Sequence, residues 1–227
     1  MTVEPDAPRT RVVLTGDSIT ETGRHEDASG LGTGYARLVA ERLAASARAR
    51  GGDVPHVVNT GVGGDRLVDL ERRWDEDVLA HEPALVSVLV GINDTWRRHD
   101  GGEPSPADAF EARLDGLLRR TTAAGARLVL LEPFVVPVEP GQERWEDDLG
   151  PRRSALRAVA DRHGAVLVPT AAAVAEAAGR RSAVAVAADG VHPTPLGHRV
   201  LADAWVASVE RSGLLDALLG ARSGSPR

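Results

Sequence analysis

A serine, an aspartate and a histidine in two short motifs have the types and spacing needed for acyl transfer. Ser18 lies in GDSIT near the amino end, and Asp189 and His192 lie three residues apart in ADGVHPTPLGH near the carboxyl end. A serine nucleophile needs a base that removes its proton, and the base needs a carboxylate that orients it. Ser18 is therefore predicted as the nucleophile, His192 as the base and Asp189 as the orienting carboxylate.

Three donors could stabilise the oxyanion that such a reaction forms. They are the backbone N–H groups of Ser18 and Gly64 and the side-chain amide of Asn93, in GDSIT, NTGVGGDR and GINDTW. Each motif alone also has a plain structural explanation. Ser18 could cap a helix, the glycines could form a tight turn, and Asn93 could cap the next segment. Asp189 and His192 could likewise belong to a surface turn, so it is the combination that favours catalysis.

Short β-branched runs directly before three of these motifs predict the strands that position them. The runs are apolar throughout, which is typical of parallel strands covered on both faces. The predicted strands are Arg11–Thr15, His56–Thr60, Ala84–Val90, Arg127–Leu131 and Ala165–Val168. Because parallel strands end at the same edge of a sheet, Ser18, Gly64 and Asn93 are expected to lie close together.

Helical stretches alternate with the strands and indicate an α/β fold. The predicted helices are Thr33–Arg48, Arg66–Ala80, Pro106–Ala124, Pro151–His163 and Pro195–Glu210. Right-handed crossovers then give a three-layer α/β/α sandwich around a parallel sheet of about five strands. We expect one domain over residues 1–227, with loose ends at 1–9 and 217–227.

The predicted connection Glu132–Arg153 is long for a compact domain and follows the fourth strand, at the edge where α/β sheets place their sites. Trp145 in this connection and Trp96 after the Asn93 motif are candidates for stacking on a sugar or covering an acyl group. Packing in the core or between subunits is the alternative for both tryptophans. Asp17, next to the predicted nucleophile, is a third candidate for a substrate contact.

The composition excludes several classes of function. A net charge of −6 argues against nucleic-acid and anionic-membrane partners, which need a basic surface. The absence of cysteine rules out disulfides, thiolate catalysis and cysteine metal sites, and His192 and His198 lie six residues apart without a compact ligand set. No apolar run approaches the ~20 residues of a membrane span, and the first residues lack a secretory signal pattern. We therefore expect a cytoplasmic enzyme that acts on a small substrate without a metal or other cofactor.

The four motifs together resemble the four sequence blocks of the SGNH, or GDSL-type, hydrolases. The likeness extends from residue 11 to about residue 209. It implies a flavodoxin-like α/β/α sandwich and an esterase that uses Ser18, Gly64, Asn93 and His192, with Asp189 completing the triad. The matching blocks are Gly16-Asp17-Ser18, Asn59–Gly64, Gly91–Asp94 and Asp189–Pro193.

Longer stretches, GDSITETGR, RWDEDVLAHEP and GVHPTPLGHRVLADAW among them, look like the branch of this family that contains acetylxylan esterases and related carbohydrate deacetylases. That resemblance implies removal of acetyl groups from sugar hydroxyls, a short acetylated oligosaccharide as substrate, and often a homo-oligomer. Related deacetylases can carry tryptophan directly before the catalytic aspartate, where this chain has Ala188. The shape of the acyl pocket, and with it the preference for acetyl, can therefore differ here.

Other functions compete with the deacetylase hypothesis. A lysophospholipase or an acyl thioesterase would need a longer apolar channel, which could be lined by Phe134, Val135, Val136 and Val138. A dinucleotide-binding module is disfavoured, because Arg66 stands where the third glycine of the fingerprint is expected and because the loop follows the second strand. A sugar-binding protein without activity would not need an intact triad.

Overall fold

A computed structural model describes residues 10–102 and 105–220, and its centre is a five-stranded, fully parallel sheet. The strands are β1 (Arg11–Gly16), β2 (His56–Asn59), β3 (Leu85–Leu89), β4 (Arg127–Leu131) and β5 (Val166–Val168). Their order is β2-β1-β3-β4-β5, which is the flavodoxin-like order. The predicted fold class and all five predicted strands are confirmed.

Helices cover both faces of the sheet. Among the described residues they are α1 (Ser18–Glu21), α2 (Tyr35–Ala49), α3 (Leu67–Asp77), α4 (Ile92–His99), α5 (Ala107–Ala123), α6 (Glu146–His163), α7 (Thr170–Arg180), α8 (Ala183–Val186), α9 (Pro195–Arg211) and α10 (Leu214–Leu219). Helices α2, α7 and α9 pack on one face, and α3, α5 and α6 pack on the other. The predicted three-layer arrangement is therefore confirmed.

Each face of the sheet has its own apolar core, because successive strand residues point to opposite faces. In β1, Val12 and Leu14 belong to the core under α2 and α9, whereas Val13 belongs to the core under α3 and α5. Trp205 of α9 anchors the first core and Trp74 of α3 anchors the second, and both side chains are almost fully buried. Two covered faces explain why the strand sequences are apolar throughout and do not alternate.

The first three strands end side by side. Leu14 pairs with Asn59 across β1 and β2, and Gly16 pairs with Leu89 across β1 and β3. The three motifs that follow these strands therefore leave the sheet at one edge, as predicted from the strand order along the chain.

Helix α6 begins earlier than predicted and shortens the long connection. The prediction placed its start at Pro151, whereas the helix begins at Glu146 and contains Pro151. Glu146, Asp147 and Asp148 form its first turn, where acidic side chains are stabilised by the positive end of the helix dipole. The segment between β4 and α6 is therefore residues 132–145, and it ends in a 3₁₀ helix, Gln142–Trp145.

Five of these helices were not predicted, namely α1, α4, α7, α8 and α10. Residues 217–219, expected to begin a loose end, lie in α10, whose Leu214 and Leu215 are buried against the core. Gly220 follows as the C-cap of α10, and the rest of the two expected loose ends, residues 1–9 and 221–227, lies outside the described residues.

Candidate active site

The predicted nucleophile, base and carboxylate form one chain of hydrogen bonds. Ser18 is the first residue of α1, and its Oγ lies 2.9 Å from Nε2 of His192. The other ring nitrogen, Nδ1, lies 2.6 Å from Oδ2 of Asp189. With the hydrogen on Nδ1 donated to the carboxylate, Nε2 accepts from the serine hydroxyl and is placed to remove its proton. The structure thus brings together three residues from opposite ends of the chain.

The turn that carries Asp189 also keeps its carboxylate ionised. Oδ1 of Asp189 accepts hydrogen bonds from the backbone N–H groups of Val191 (2.9 Å) and His192 (2.7 Å). Partial burial alone would raise the pKa of Asp189, but the hydrogen bonds from the His192 ring and these two N–H groups lower it below the usual aspartate value. The carboxylate is therefore ionised at neutral pH and orients the imidazole.

Two of the predicted oxyanion donors, Gly64 and Asn93, lie on the segments that follow β2 and β3. A Cβ placed on Gly63 would be 4.0 Å from the Cβ of Ser18, and Gly64 has φ +80°, a conformation that favours glycine. Asn93 lies in the first turn of α4, and its Nδ2 donates to the carbonyl of Asp65 (3.1 Å). An amide nitrogen carries two hydrogens, so the second remains to donate to a substrate oxygen.

Arg73, which lies in none of the four sequence blocks, holds the two strand ends and the glycine loop together. Its guanidinium donates to the carbonyl oxygens of Gly16 at the end of β1 (3.0 Å) and Thr60 after β2 (2.6 Å). It also pairs with Asp65 (2.7 Å), whose carbonyl receives the amide of Asn93. Arg73 lies in the polar part of a predicted amphipathic helix, so nothing local in the sequence distinguishes it from a solvated arginine.

Asn59, the first residue of the second block, has a structural role. Its Nδ2 donates to the carbonyl oxygens of Thr20 (2.7 Å) and Leu31 (3.0 Å), and its Oδ1 accepts from the N–H of Gly61 (2.9 Å). The side chain therefore ties the glycine loop to α1, whose first residue is Ser18.

Asp17 does not take the substrate-contact role proposed for it. Its side chain is fully buried and caps α1, with Oδ1 accepting from the N–H of Ile19 (3.0 Å). Burial raises the pKa of Asp17 to about 7. A buried cap behind the nucleophile positions α1 but does not face a substrate.

The two candidate tryptophans have different environments. Trp96 is half-buried, and its ring centroid lies 5.8 Å from that of His192 and 5.4 Å from that of Trp145. Trp145 is only 7% exposed and stacks on His99, with centroids 5.4 Å apart. Trp96 therefore remains a candidate wall of the site, whereas Trp145 supports Trp96 from behind and the predicted direct contact of Trp145 with substrate is not supported.

The segment that could have lined a long acyl channel is largely part of the core. Phe134 is 1% exposed and Val136 is 8% exposed, and both belong to the core cluster on the α2 and α9 side of the sheet. Val135 packs against the same cluster, whereas Val138, the fourth residue of the predicted lining, is half-buried and lies outside it. Side chains that are packed in this way do not form the wall of an open channel.

Neither a metal site nor a membrane-spanning helix is found in the described part of the chain. Within residues 10–102 and 105–220, no group of three or more His, Asp or Glu side chains is arranged to hold a metal ion. Nδ1 of His198 accepts from the N–H of Tyr35 (3.1 Å), so this histidine is engaged in the fold. Over the same residues, no helix is both long enough and apolar enough to cross a bilayer.

Comparison with known proteins agrees with this geometry. An acetylxylan esterase from Geobacillus stearothermophilus is 33% identical over 210 residues, covering 88% of this chain and 93% of the relative. The crystal structure of an acetylxylan esterase from that organism, Axe2, has a TM-score of 0.79 at 31% identity, covering 88% of this chain and 94% of its own. LAE5, an α/β hydrolase from the metagenome of Lake Arreo, has a TM-score of 0.80 at 31% identity, covering 88% and 95%.

Variants of Axe2 give the spacing of its site. Two are described as catalytic mutants, one at an aspartate and one at a histidine three residues later, and another replaces the tryptophan directly before that aspartate. Residues 14–200 of this chain match the family described as GDSL-like Lipase/Acylhydrolase. The chain therefore belongs to the GDSL-like lipase/acylhydrolase family and is a carboxylic ester hydrolase.

Proposed function

We propose that the protein is a serine esterase that removes small acyl groups, acetyl above all, from the hydroxyl groups of short oligosaccharides. The observation that carries the proposal is the hydrogen-bond chain from Ser18 through His192 to Asp189. The relatives named acetylxylan esterase support the carbohydrate substrate. In one of them the catalytic aspartate and histidine have the same three-residue separation as Asp189 and His192.

In the first half of the reaction, Oγ of Ser18 attacks the ester carbonyl carbon while Nε2 of His192 takes the hydroxyl proton. The C–O bond to the sugar then breaks, and His192 returns the proton to the departing sugar oxygen. An acyl group remains on Ser18, and the ionised carboxylate of Asp189 stabilises the imidazolium that forms between the two proton transfers.

In the second half, water replaces the sugar. His192 takes one proton from the water as its oxygen attacks the acyl carbon, and the same proton goes to Oγ of Ser18 as the carboxylic acid leaves. Both halves pass through a tetrahedral oxyanion, which is bound by the backbone N–H groups of Ser18 and Gly64 and the amide of Asn93. Donors that are already oriented by the fold need no rearrangement when the negative charge develops.

Burial within the segment after β4 favours a short acyl group over the long chain that a lysophospholipase or acyl thioesterase would bind. Phe134 and Val136 are packed in the core and supply no channel wall. Trp96 lies beside His192 and offers an aromatic face to a sugar. Ala188, an exposed residue, stands directly before Asp189, where the relative has a tryptophan.

The test compares p-nitrophenyl acetate, p-nitrophenyl octanoate and acetylated xylo-oligosaccharides as substrates of the wild-type protein. We expect kcat/KM for acetate to exceed that for octanoate, and mass spectrometry to detect the loss of acetyl from the oligosaccharides. A clear preference for octanoate would contradict the deacetylase proposal and favour the thioesterase or lysophospholipase alternative.

Replacing the nucleophile gives the largest expected effect. Ser18→Ala should lower kcat by at least about 10⁴-fold, because the remaining groups can only bind and polarise the ester. Ser154→Ala, which changes an exposed serine on α6, is the matched control and should retain wild-type kcat. Wild-type turnover by a folded Ser18→Ala protein would refute the acyl-enzyme mechanism.

A further inference from the structure

The segment between β4 and α6 holds the turn that carries the acid–base pair. Two hydrogen bonds connect them. The N–H of Val136 donates to the carbonyl of Gly190 (2.8 Å), and Nε2 of Gln142 donates to the carbonyl of Asp189 (2.7 Å). Asp189 is thus held by its backbone from one side, while its carboxylate faces His192 on the other.

Gln142 is fixed in one orientation. It is 5% exposed, and its Oε1 accepts from the backbone N–H groups of Val138 (2.8 Å) and Glu139 (3.0 Å). Both partners of Oε1 are donors, so the amide must direct its nitrogen to the carbonyl of Asp189. One side chain therefore orders its own segment through the oxygen and reaches the turn of the acid–base pair through the nitrogen.

Gly190 permits this close approach. Its φ of +86° is favourable only for glycine, and a Cβ at this position would lie 2.5 Å from Oε1 of Gln142 and 2.7 Å from the carbonyl oxygen of Val136. The turn of Asp189 and the segment between β4 and α6 therefore pack directly against each other, with no side chain at residue 190 between them.

We infer that Gln142 is a positioning residue for the reaction, acting through the backbone of Asp189 on the carboxylate that orients His192. This inference rests on the proposed function. The His192 side chain is 47% exposed, so core packing does not hold it in place. Its orientation depends on the bond to Asp189, and the position of Asp189 depends on its turn and on Gln142. A displacement of about 1 Å at a reacting group costs up to about 100-fold in rate.

The same 3₁₀ helix carries Trp145, which packs behind Trp96 at the wall of the site. One segment thus supports two different parts of the reaction. Loss of the Gln142 amide should lower kcat more than it changes KM, because the amide bonds directly to the acid–base turn, whereas it reaches the wall only indirectly, through Trp145.

The experiment uses two variants of Gln142 in the full-length protein, with p-nitrophenyl acetate as substrate. Gln142→Met has nearly the same volume but loses both the donor and the acceptor, and we expect kcat to fall by about 10- to 100-fold with KM within about threefold of wild type. Gln142→Glu keeps the acceptor and donates to the Asp189 carbonyl only when its carboxyl is protonated. The ratio of its kcat/KM to that of wild type should therefore rise as the pH is lowered from 8 to about 5.

Glu139→Gln is the matched control, since it changes an exposed side chain in the same segment and leaves the backbone N–H of residue 139 in place. It should retain wild-type kcat. A pH-independent ratio for Gln142→Glu, or wild-type kcat in folded Gln142→Met, would overturn the positioning role. Failure of the proposed function has a different signature, because Ser18→Ala would then remain active whatever the Gln142 variants do.

Discussion

The candidate site has two halves that are built in different ways. The nucleophile half, Ser18, Gly64 and Asn93, follows directly on three adjacent parallel strands, β1, β2 and β3. The acid–base half, Asp189 and His192, lies on a turn between α8 and α9 that belongs to no strand of the sheet. The first half inherits its geometry from the sheet, whereas the second depends on contacts with another irregular segment.

The anchors of the two halves differ in the same way. Arg73 uses a charged guanidinium to hold the carbonyl oxygens of Gly16 and Thr60 together with the carboxylate of Asp65. Gln142 uses a neutral amide to hold the single carbonyl of Asp189. Disturbing the first anchor should therefore affect the stability of the whole fold, and disturbing the second should affect activity far more than stability. Stability is not uniform across a protein, and functional loops are drawn from its less stable parts.

Within the nucleophile half, the largest effect after that of Ser18 is expected at Asn93. Asn93→Ala should lower kcat by about 10²- to 10³-fold, because it removes one donor to the oxyanion. Asn93→Asp keeps the shape but replaces the donor with an acceptor, so its kcat should fall at least as far. Steady-state hydrolysis of p-nitrophenyl acetate measures both, and a loss below threefold in Asn93→Ala would remove this residue from the oxyanion site.

The next largest effect is expected at Arg73, on the free energy of unfolding. Arg73→Met should lower the free energy of unfolding by about 3 kcal/mol, because two carbonyl oxygens and a carboxylate, all of them largely buried, lose their charged donor. Arg72→Met is the matched control. Arg72 is the adjacent residue of α3, but it is 70% exposed and pairs with Asp69 on the surface, so its loss should cost less than about 1 kcal/mol.

Urea unfolding of these two variants and of Gln142→Met tests the comparison directly. Gln142→Met should lose less than Arg73→Met, because the three hydrogen bonds of Gln142 are all neutral, whereas those of Arg73 come from a charged guanidinium. Equal losses in Arg73→Met and Gln142→Met would show that the two halves are equally coupled to the global fold, and the distinction between them would be abandoned.

This difference also explains what the sequence could predict. The nucleophile half was predictable, because each of its motifs follows an apolar run and parallel strands must end at one edge. Asp189 and His192 were predictable as a pair through their three-residue spacing. Arg73 and Gln142 were not, because each acts on residues far away in the chain and neither lies in a recognisable motif. The buried positions of Asp17 and Trp145 were missed for the same reason, since burial is decided by packing partners that the local sequence does not specify.

His198 connects the two halves, and its titration should weaken that connection in acid. It lies in α9, after the acid–base turn, and its Nδ1 accepts from the N–H of Tyr35 at the start of α2 (3.1 Å). The hydroxyl of Tyr35 bonds to Thr20 in α1 (3.0 Å), two residues after Ser18. Burial, and then the charge of His192, lowers the pKa of His198 from 6.5 to about 4. Protonation at Nδ1 would place two donors against each other at this junction.

Because the unfolded chain binds this proton more readily than the folded protein, the contribution of His198 to stability is present above pH 6.5 and is lost as the pH falls towards about 4. Between pH 7 and pH 5 the loss amounts to about 2 kcal/mol for this group alone. His198→Asn, whose amide oxygen can accept the Tyr35 N–H, should lack this part of the pH dependence. Urea unfolding of both proteins at pH 7 and pH 5 measures how far the free energy of unfolding of each one falls over this range. The raised pKa of Asp17 has the opposite effect on stability as the pH falls. Asp17 is present in both proteins, so its contribution cancels when they are compared. An identical fall in the free energy of unfolding of the two proteins would mean that His198 does not titrate at this junction.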